Sequence, residues 1–265
     1  MTAVQADPRE TIFAGIADRV FVATLIADDE GIVSPVSAAA EAAHGIGLQI
    51  EFALQETGYV RPGDEILRFR GTPMQIALAE ERVVGLLAKA SGIATAARRF
   101  VDRAQGSPRI VSGAWKKLPV SVKDTIRSAI TAGGADPRIA TWPFVYLDKN
   151  FVTMLGGPER TLNAVAEMKN HRKVIQLDDA NAAVTAARAG ADIVFIDTGR
   201  AEDAETAARQ LREVGLRDRV ELAFGGGVRL EDIDDLKRLD VDTVDVGRAI
   251  VDAPLLDMRV RVRPS

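Results

Sequence analysis

The sequence predicts an α/β protein in which a small N-terminal α+β domain precedes an incomplete, six-strand α/β barrel. The chain has 265 residues, of which 47% are hydrophobic and 27% charged, a size and composition that suit one large domain or two modest ones. From about Arg109 onward, short β-rich segments alternate with amphipathic helical segments at intervals of roughly 20 to 30 residues, which is typical of repeated βα units. A complete eight-unit barrel needs about 250 residues, so the barrel predicted here is incomplete.

The N-terminal part of the chain has a different pattern, which predicts short strands and one long helix. The strand candidates are Arg19–Leu25, Gly31–Ser34, Gln49–Ala53 and Glu65–Arg70. A helical pattern then runs from about Met74 to Gln105, and the Ser91-Gly92 pair predicts a break in it. We expect an N-terminal domain with this bridging helix at 1–107, the barrel at 108–254 and a tail that returns to the first domain at 255–265.

Six strand candidates follow the bridging helix. They are Arg109–Ser112, Phe144–Leu147, Lys173–Leu177, Asp192–Asp197, Val220–Phe224 and Thr243–Val246. The helical segments between them carry apolar residues at three- to four-residue spacing. These segments are Thr161–Lys169, Asn181–Ala189, Glu202–Val214 and Leu230–Leu239. Because an open barrel leaves strand edges unpaired, we expect the N-terminal part or a second subunit to cover the open side.

Composition and charge exclude several functional classes. There are 34 basic and 38 acidic residues, a formal net charge of −4, so no global positive field attracts nucleic acid or an anionic membrane. The absence of cysteine excludes disulfides and thiolate chemistry, and two isolated histidines do not make a metal cage. No apolar run is long enough to span a membrane, and Met1–Glu10 does not resemble a signal peptide. We therefore expect a cytoplasmic protein.

Glycine turns follow the fifth and sixth strand candidates. Gly225, Gly226 and Gly227 follow the fifth strand and Gly247 follows the sixth, each just before a helical pattern. Glycine lets backbone N–H groups converge on an anion, and consecutive late loops of α/β barrels are a recurrent phosphate site. These turns therefore indicate a phosphate site, with tight strand-to-helix turns that bind nothing as the alternative.

Charged and aromatic side chains follow several of the other strands. Asp197 ends the fourth strand, where it could contact magnesium or ribose or could cap the next helix. Lys116 and Arg138 lie between the first and second strand candidates, and Lys149 follows the second. Such cations can bind carboxylate or phosphate, or they can be solvated surface charges. Trp115 could stack on a flat ligand or belong to the core.

Several of these residues also carry a family resemblance. They are Glu81-Arg82, Ser91-Gly92-Ile93-Ala94-Thr95, Lys116 to Pro119, Arg138, Lys149-Asn150, Asp197, Gly225-Gly226-Gly227 and Gly247. From about Gly31 onward the chain resembles the quinolinate phosphoribosyltransferases, also called nicotinate-nucleotide pyrophosphorylases. The resemblance implies an N-terminal α/β domain, an incomplete barrel and a homodimer or higher homo-oligomer in which one subunit's N-terminal domain completes the other's active site.

The family transfers ribose 5-phosphate from phosphoribosyl pyrophosphate (PRPP) to quinolinate with Mg²⁺, releasing pyrophosphate and carbon dioxide, in pyridine nucleotide biosynthesis. The resemblance implies catalytic roles for Lys116, Arg138, Lys149 and Asp197, with Asp197 also the metal ligand. It implies substrate binding by Arg82, Trp115, Asn150, Gln176, Gly225, Gly226, Gly227 and Gly247. Among these, the glycines would hold the 5-phosphate, Arg138 would clamp an acceptor carboxylate and Arg82 would reach across from the partner subunit.

The chain departs from the family pattern around the acceptor. The family's Asp-Thr-Arg-Lys run reads Gly113-Ala114-Trp115-Lys116, so Trp115 stands where an arginine grips quinolinate. The family's His-Arg pair reads Pro137-Arg138 here, and its Lys-Asp-Asn run reads Asp148-Lys149-Asn150. Gln176 stands where the family has a glutamate on the third strand, and Ala223 or Phe224 stands where it has a glutamate before the glycine turn. Losing a bidentate cation beside a buried carboxylate costs several kcal/mol, so we expect a (hetero)aromatic acceptor other than quinolinate in its usual pose.

Two other functions remain open at this point. The phosphate site could serve a different reaction on a phosphorylated sugar or nucleotide, such as lyase or C–C bond chemistry. Alternatively, the chain could be a non-catalytic ligand-binding homologue. The charges that line the acceptor pocket distinguish these possibilities from phosphoribosyl transfer.

Overall fold

A computed structural model of the protein describes residues 7–263. These residues form two compact units, one comprising the chain up to Ala96 together with the segment from Ala253 onward, and the other comprising Ala97–Asp252. Each unit contains both helices and strands. The predicted fold class, a small N-terminal α+β part followed by a six-strand parallel sheet, is confirmed.

The first unit is built on a four-stranded antiparallel sheet. The strands of the N-terminal segment of this unit, in chain order, are β1 (Phe21–Ala27), β2 (Gly31–Ile32), β3 (Gln49–Ala53), β4 (Tyr59–Val60) and β5 (Glu65–Gly71). Its helices are α1 (Pro8–Ile12), α2 (Val36–Gly45) and the beginning of α3 (Pro73–Ala104). The C-terminal strand, Met258–Val262, pairs with β1 at one edge, so the sheet order is C-terminal strand, β1, β5, β3, while β2 pairs with β4 separately. Alternate residues of β1 are fully buried, as expected for a sheet with one face in the core.

The break predicted at Ser91-Gly92 is wrong, because α3 is continuous from Pro73 to Ala104. Both residues make close tertiary contacts instead. The Ser91 hydroxyl accepts a hydrogen bond from the Ser34 N–H at 3.2 Å and donates one to the Ser34 carbonyl at 3.2 Å. A Cβ at position 92 would collide with the carbonyl oxygen of Pro254. Gly92 therefore lets the backbone before the C-terminal strand approach the helix.

The second unit is built on six parallel strands. They are β6 (Arg109–Val111), β7 (Phe144–Leu147), β8 (Arg172–Leu177), β9 (Ile193–Ile196), β10 (Glu221–Gly225) and β11 (Thr243–Asp245), after which the C-terminal strand is β12. The helices are α4 (Lys123–Ala132), α5 (Lys149–Leu155), α6 (Pro158–Ala164), α7 (Ala183–Arg188), α8 (Ala201–Glu213), α9 (Ile233–Leu236) and α10 (Arg248–Val251). The sheet order is β6-β11-β10-β9-β8-β7, so β6 and β7 follow each other in the chain but form opposite edges. All six predicted strands are present, and the sheet is open between β6 and β7.

The two ends of this sheet differ in character. At the amino end, the partly buried carboxylate of Glu221 on β10 accepts hydrogen bonds from Arg109 at 2.8 Å, Arg172 at 3.1 Å and Thr243 at 2.5 Å. These contacts connect β10 to β6, β8 and β11, and they satisfy a charge that would be costly to bury alone. Glycines and incompletely paired charged side chains gather at the carboxyl end, where parallel α/β folds bind ligands.

The helices of this structure give no indication of a membrane span. Within residues 7–263, no helix combines the length and the apolar character that crossing a bilayer requires.

The close contact at Gly92 predicts that alanine substitutions at two glycines of α3 change the stability of the protein in different ways. Gly92→Ala should destabilise the protein by about 1 to 3 kcal/mol, because the added methyl group overpacks against backbone that cannot rotate away. Gly85→Ala is the control, since a Cβ there meets nothing within 4 Å and alanine favours a helix by up to about 1 kcal/mol. Urea unfolding of both variants measures the difference, and equal midpoints would contradict this account of Gly92.

Candidate active site

A pocket at the carboxyl end of the six-stranded sheet brings together residues from three strands and two loops. Its walls are formed by Gly113, Lys116, Pro137, Arg138, Ile139, Phe144, Tyr146, Phe195 and Asp245. Phe144, Tyr146 and Phe195 provide flat apolar surface, whereas Lys116, Arg138 and Asp245 provide charge. Its free volume is about 20 Å³, which is room for about one water molecule, so a larger ligand requires the lining side chains to move.

Lys116 reaches this pocket from a short 3₁₀ helix, Ala114–Lys117, just after β6. Its Nζ atom lies 4.1 Å from the centre of the Tyr146 ring, a cation–π contact. Burial of the ammonium group lowers the pKa of Lys116, and the nearby charge of Arg138 lowers it further, while Asp245 and Asp148 act in the opposite direction. Among residues 7–263, no carboxylate forms an ion pair with Lys116. Its charge is therefore available to an anionic ligand.

Arg138 and Trp115 lie against each other beside the pocket. The Trp115 side chain is buried, at 6% exposure, and its indole N–H donates a hydrogen bond to the carbonyl of Pro137 at 2.6 Å. The guanidinium carbons of Arg127 and Arg138 lie 4.7 Å and 5.1 Å from its ring centre. Trp115 therefore supports Arg138 and does not line the pocket. Stacking of Trp115 on a ligand would require one of these arginines to move.

A chain of hydrogen bonds runs across the ends of β7, β8 and β9. The Tyr146 hydroxyl donates to Gln176 Oε1 at 3.2 Å, and Gln176 Nε2 donates to Asp197 Oδ2 at 2.5 Å. Burial raises the pKa of Tyr146 far above its ordinary value, and the negative charges of Asp245, Asp197 and Asp148 add to this, so the phenol remains a donor. Asp197 does not cap the next helix, because Arg200 occupies the N-cap position of α8.

The glycine turn after β10 is open to solvent and has free donors. Gly225 is buried, whereas Gly226 and Gly227 are exposed with φ angles of +107° and +82°. Within the described part of the chain, the backbone N–H groups of Gly226 and Gly227 donate to no acceptor. Exposed N–H groups in such a turn are a suitable anion site. Gly247 lies at the matching position after β11, directly before α10.

The turn after β9 supports the glycine turn, and sequence reasoning missed it. The Gly199 N–H donates to the Gly225 carbonyl at 2.9 Å. Gly199 has a φ of +73°, and a Cβ on either Gly199 or Gly226 would collide with the backbone of the other residue. The signal in the sequence was the Thr198-Gly199 pair directly after Asp197, at the end of a buried strand.

Asp245 is a second residue that sequence reasoning missed. It is the last residue of β11, and its Oδ1 atom accepts a hydrogen bond from the Gly113 N–H at 2.9 Å. Burial raises the pKa of Asp245 and the charge of Asp197 raises it further, while the Gly113 hydrogen bond and the charges of Lys116 and Lys117 oppose the shift. A carboxylate at the carboxyl end of a barrel strand was the available signal.

Of the predicted site residues, only Lys116 and Arg138 line this pocket. Three others lie outside the pocket, the hydrogen-bond chain of Asp197 and the glycine turns. Lys149 and Asn150 are exposed at the start of α5, where the Asp148 carboxylate caps the helix by accepting the N–H groups of Asn150 and Phe151. Arg82 is exposed on the part of α3 that belongs to the first unit. Their catalytic or binding roles remain predictions.

Comparison with known families covers nearly the whole chain. The profile of the quinolinate phosphoribosyl transferase N-terminal domain matches residues 8–91, and that of the C-terminal domain matches residues 93–261. The chain belongs to the quinolinate phosphoribosyltransferase family. It is therefore a phosphoribosyltransferase of the glycosyltransferase type, from a family of pyridine nucleotide biosynthesis, and the predicted resemblance is confirmed.

Curated relatives agree with this assignment. The chain is 30% identical over 205 residues to a probable nicotinate-nucleotide pyrophosphorylase (carboxylating) of Archaeoglobus fulgidus, covering 77% of this chain and 79% of that protein. It is 26% identical over 221 residues to the human nicotinate-nucleotide pyrophosphorylase (carboxylating), covering 82% and 74%.

Solved structures confirm the fold. The nicotinate-nucleotide pyrophosphorylase of Francisella tularensis superposes with a TM-score of 0.81 at 20% identity, covering 96% of this chain and 94% of that one. The enzyme of the same name from Ehrlichia chaffeensis gives a TM-score of 0.84 at 14% identity, covering 96% and 92%.

The lowered pKa of Lys116 predicts a pH dependence of anion binding. A lysine whose pKa is lowered loses its positive charge at a pH below the ordinary lysine range. Pyrophosphate affinity should therefore fall as the pH rises from about 7 to about 10. Lys116→Arg should retain affinity over this range, because the guanidinium group stays protonated. Calorimetric titration at each pH measures this, with Lys117→Arg as the control. A parallel loss of affinity in the wild type and Lys116→Arg would contradict the assignment of this titration to Lys116.

Proposed function

We propose that this enzyme transfers ribose 5-phosphate from PRPP to a ring nitrogen of a (hetero)aromatic acid, with release of pyrophosphate. The acceptor is not quinolinate in its usual pose. One observation carries the proposal: the exposed glycine turn at Gly226 and Gly227 has free N–H donors at the same rim of the sheet as Lys116 and Arg138. Phosphate and carboxylate are the groups that such donors and cations bind.

The chemistry of each residue determines the role that we assign to it. The glycine turn, together with Gly247 after the next strand, holds the terminal phosphate of the sugar. Lys116, a compact point charge, neutralises the pyrophosphate or the acceptor. Arg138 holds a carboxylate of the acceptor with its planar donor fork, and its contact with Trp115 fixes its orientation.

The reaction exchanges one bond at C1 of the ribose for another. The C1–O bond to pyrophosphate breaks and its electron pair leaves with pyrophosphate, while the lone pair of the acceptor nitrogen forms the new C1–N bond. The sugar passes through a cationic, oxocarbenium-like state, which the carboxylate of Asp197 stabilises. Gln176 and Tyr146 act as positioning residues, because their hydrogen bonds fix that carboxylate.

The site also fits Mg²⁺. Mg²⁺ is usually held by one or two carboxylates together with substrate phosphates and water, and Asp197 offers one carboxylate whose Oδ1 atom accepts no hydrogen bond within residues 7–263. Within those residues no group of three or more potential ligands is assembled, which suits an ion that arrives with PRPP. Asp197 would hold the ion, which would supply positive charge that offsets the charge of the pyrophosphate leaving group.

A homodimer or higher homo-oligomer is part of this proposal. The parallel sheet is open between β6 and β7, and unpaired edges are normally covered. Arg82 is exposed on α3, and the family resemblance assigns it to the active site of the partner subunit. Two measurements test this arrangement. Sedimentation of the wild type should show a dimer or a larger oligomer, and mixing the Arg82→Ala and Arg138→Ala variants should restore transfer activity.

A second candidate function is a lyase or C–C bond reaction on a phosphorylated sugar or nucleotide. The observation that favours it is that the carboxylate of Asp245 lines the pocket while Lys149 lies outside it. This candidate predicts turnover of the phosphorylated ligand without any aromatic acceptor.

The assay that decides between these functions follows pyrophosphate, carbon dioxide and new nucleotides by mass spectrometry. The protein is incubated with PRPP, Mg²⁺ and a panel of pyridine and other heteroaromatic acids. Acceptor-dependent release of pyrophosphate supports phosphoribosyl transfer, whereas product without an acceptor supports the second candidate. Arg138→Ala should lower transfer, mainly through a higher KM for the acceptor. Normal turnover by that variant would show that Arg138 is not the clamp.

Substitution in the glycine turn should weaken PRPP binding selectively. We expect Gly226→Ala to lower the affinity at least about tenfold, or about 1.4 kcal/mol, because its Cβ collides with Gly199 and displaces the free N–H groups. Gly190→Ala is the matched control, since Gly190 also has a positive φ of +94° but a Cβ there meets nothing within 4 Å. Calorimetry measures the affinities, and equal losses in both variants would indicate a general effect of backbone strain.

A further inference from the structure

Arginine side chains are concentrated on the outer face of the antiparallel sheet in the first unit, the face opposite its core. The strand register places Arg261 of β12 and Arg68 of β5 on either side of Thr24 of β1. Arg263 lies two residues beyond Arg261, and Arg70 two residues beyond Arg68, so their side chains extend from the same face. Because neighbouring strands lie only about 4.8 Å apart, these four arginines flank Thr24 on one surface.

Ion pairs neutralise only part of the charge on this face. The arginines are Arg68, Arg70, Arg259, Arg261 and Arg263, and the carboxylates that pair with them are Glu51, Glu65 and Asp28. Arg261 forms no ion pair with any residue in the range 7–263, and Arg263 reaches Glu65 only at 3.8 Å. Five arginines against three carboxylates leave two positive charges on this face, although the protein as a whole has a net charge of −4.

A buried hydroxyl group lies among these arginines. Thr24 is 5% exposed, and its Oγ1 atom makes no hydrogen bond with the described part of the chain. The Glu65 carboxylate lies beside it, but both of its oxygens already accept hydrogen bonds from Arg68, at 2.9 and 2.7 Å. Leaving a buried polar group without a partner is costly, and such a group calls for an explanation. A ligand that offers an acceptor oxygen would satisfy the Thr24 hydroxyl.

A cavity of about 340 Å³ opens on this face. It is lined by Thr24, Ile26, Gly63, Glu65, Arg261 and Arg263. Binding sites for small molecules commonly measure about 300 to 1,000 Å³, so this cavity has room for a ligand as its side chains stand. The two arginines that line it are the two whose charge is least neutralised, while the acid that lines it, Glu65, is neutralised by Arg68.

We propose that this cavity binds a small phosphate monoester, at a site separate from the candidate active site. Arg261 and Arg263 hold the phosphate with their guanidinium groups, and the Thr24 hydroxyl donates to a phosphate oxygen. A phosphate monoester carries a charge of about −1.5 to −2 near pH 7, which matches the excess of two positive charges on the face. The inference does not depend on the proposed function, because all of these residues belong to the first unit and the pocket beside Lys116 belongs to the second.

Hydrogen exchange measured by mass spectrometry locates the site. Ribose 5-phosphate is the probe, and ribose, which lacks the phosphate, is the control ligand. With a Kd of about 1 mM or lower, about 10 mM ribose 5-phosphate should slow exchange in β1 and β12 at least about tenfold, because the ligand binds only the folded strands. Ribose should have no effect. Protection confined to the turns at Gly199 and Gly226, or equal protection by ribose, or no protection at all, would overturn the proposal.

Matched variants test the residues that hold the phosphate. Arg261→Gln should raise the concentration for half-maximal protection at least tenfold, and Thr24→Val at least threefold, because the valine keeps the shape and removes the hydroxyl. Arg259→Gln is the control, since Arg259 lies on the same face but pairs with Asp28 and does not line the cavity, so its effect should stay within twofold. Equal losses in both arginine variants would indicate general attraction to a basic face and would contradict a built site.

The conservative variant Thr24→Ser keeps the test decisive if Thr24→Val does not fold. The serine retains the hydroxyl, so Thr24→Ser should bind ribose 5-phosphate as the wild type does. Wild-type protection that persists in both Arg261→Gln and Thr24→Val would overturn the assignment of these residues.

Transfer activity separates this site from the proposed function. Arg261→Gln should release pyrophosphate from PRPP at the wild-type rate. A loss of that activity would assign Arg261 to the reaction and contradict a separate site. Absence of protection in β1 and β12 would reject this site and leave the proposed function as it stands.

Discussion

The contact between the turns that follow β9 and β10 is the constraint on which the site depends. Gly199 donates its N–H to the Gly225 carbonyl, and neither Gly199 nor Gly226 has room for a Cβ beside the other backbone. This close approach holds the glycine turn against the turn after β9, and the N–H groups of Gly226 and Gly227 donate to no acceptor within residues 7–263. The phosphate site proposed here is thus a property of backbone geometry, and side chains add the remaining specificity.

Electrostatics then divides the rim into two regions. The side near β9 holds Asp197, fixed by Gln176 and Tyr146, beside the glycine turn. The side near β6 holds Lys116, whose ammonium group contacts the Tyr146 ring. In the proposed function, an anion binds in the second region and the developing sugar cation lies in the first. Both regions derive from one topological fact, which is that parallel strands end at the same edge.

The residues that depart from the family pattern make contacts that a motif does not reveal. Trp115, which replaces an arginine of the family pattern, is buried beneath Arg127 and Arg138 and donates to the Pro137 carbonyl. Its role is to support a cation and not to stack on a ligand. Lys149, which the family resemblance assigns to the site, is exposed at the start of a helix that Asp148 caps, and its role remains a prediction.

The sequence by itself determined the six strands, the incomplete barrel, the family and the glycine turns, because these depend on periodicity and on residues whose conformational freedom is local. It did not determine that α3 is continuous at Gly92. A glycine is needed there because the Pro254 backbone, distant in the sequence, approaches the helix too closely for a Cβ. Nor did it reveal Gly199 and Asp245, whose importance lies in what they contact across the sheet. Tertiary structure decided which charges share the pocket, because the distance between side chains on different strands follows from sheet order and register, which a linear pattern does not encode.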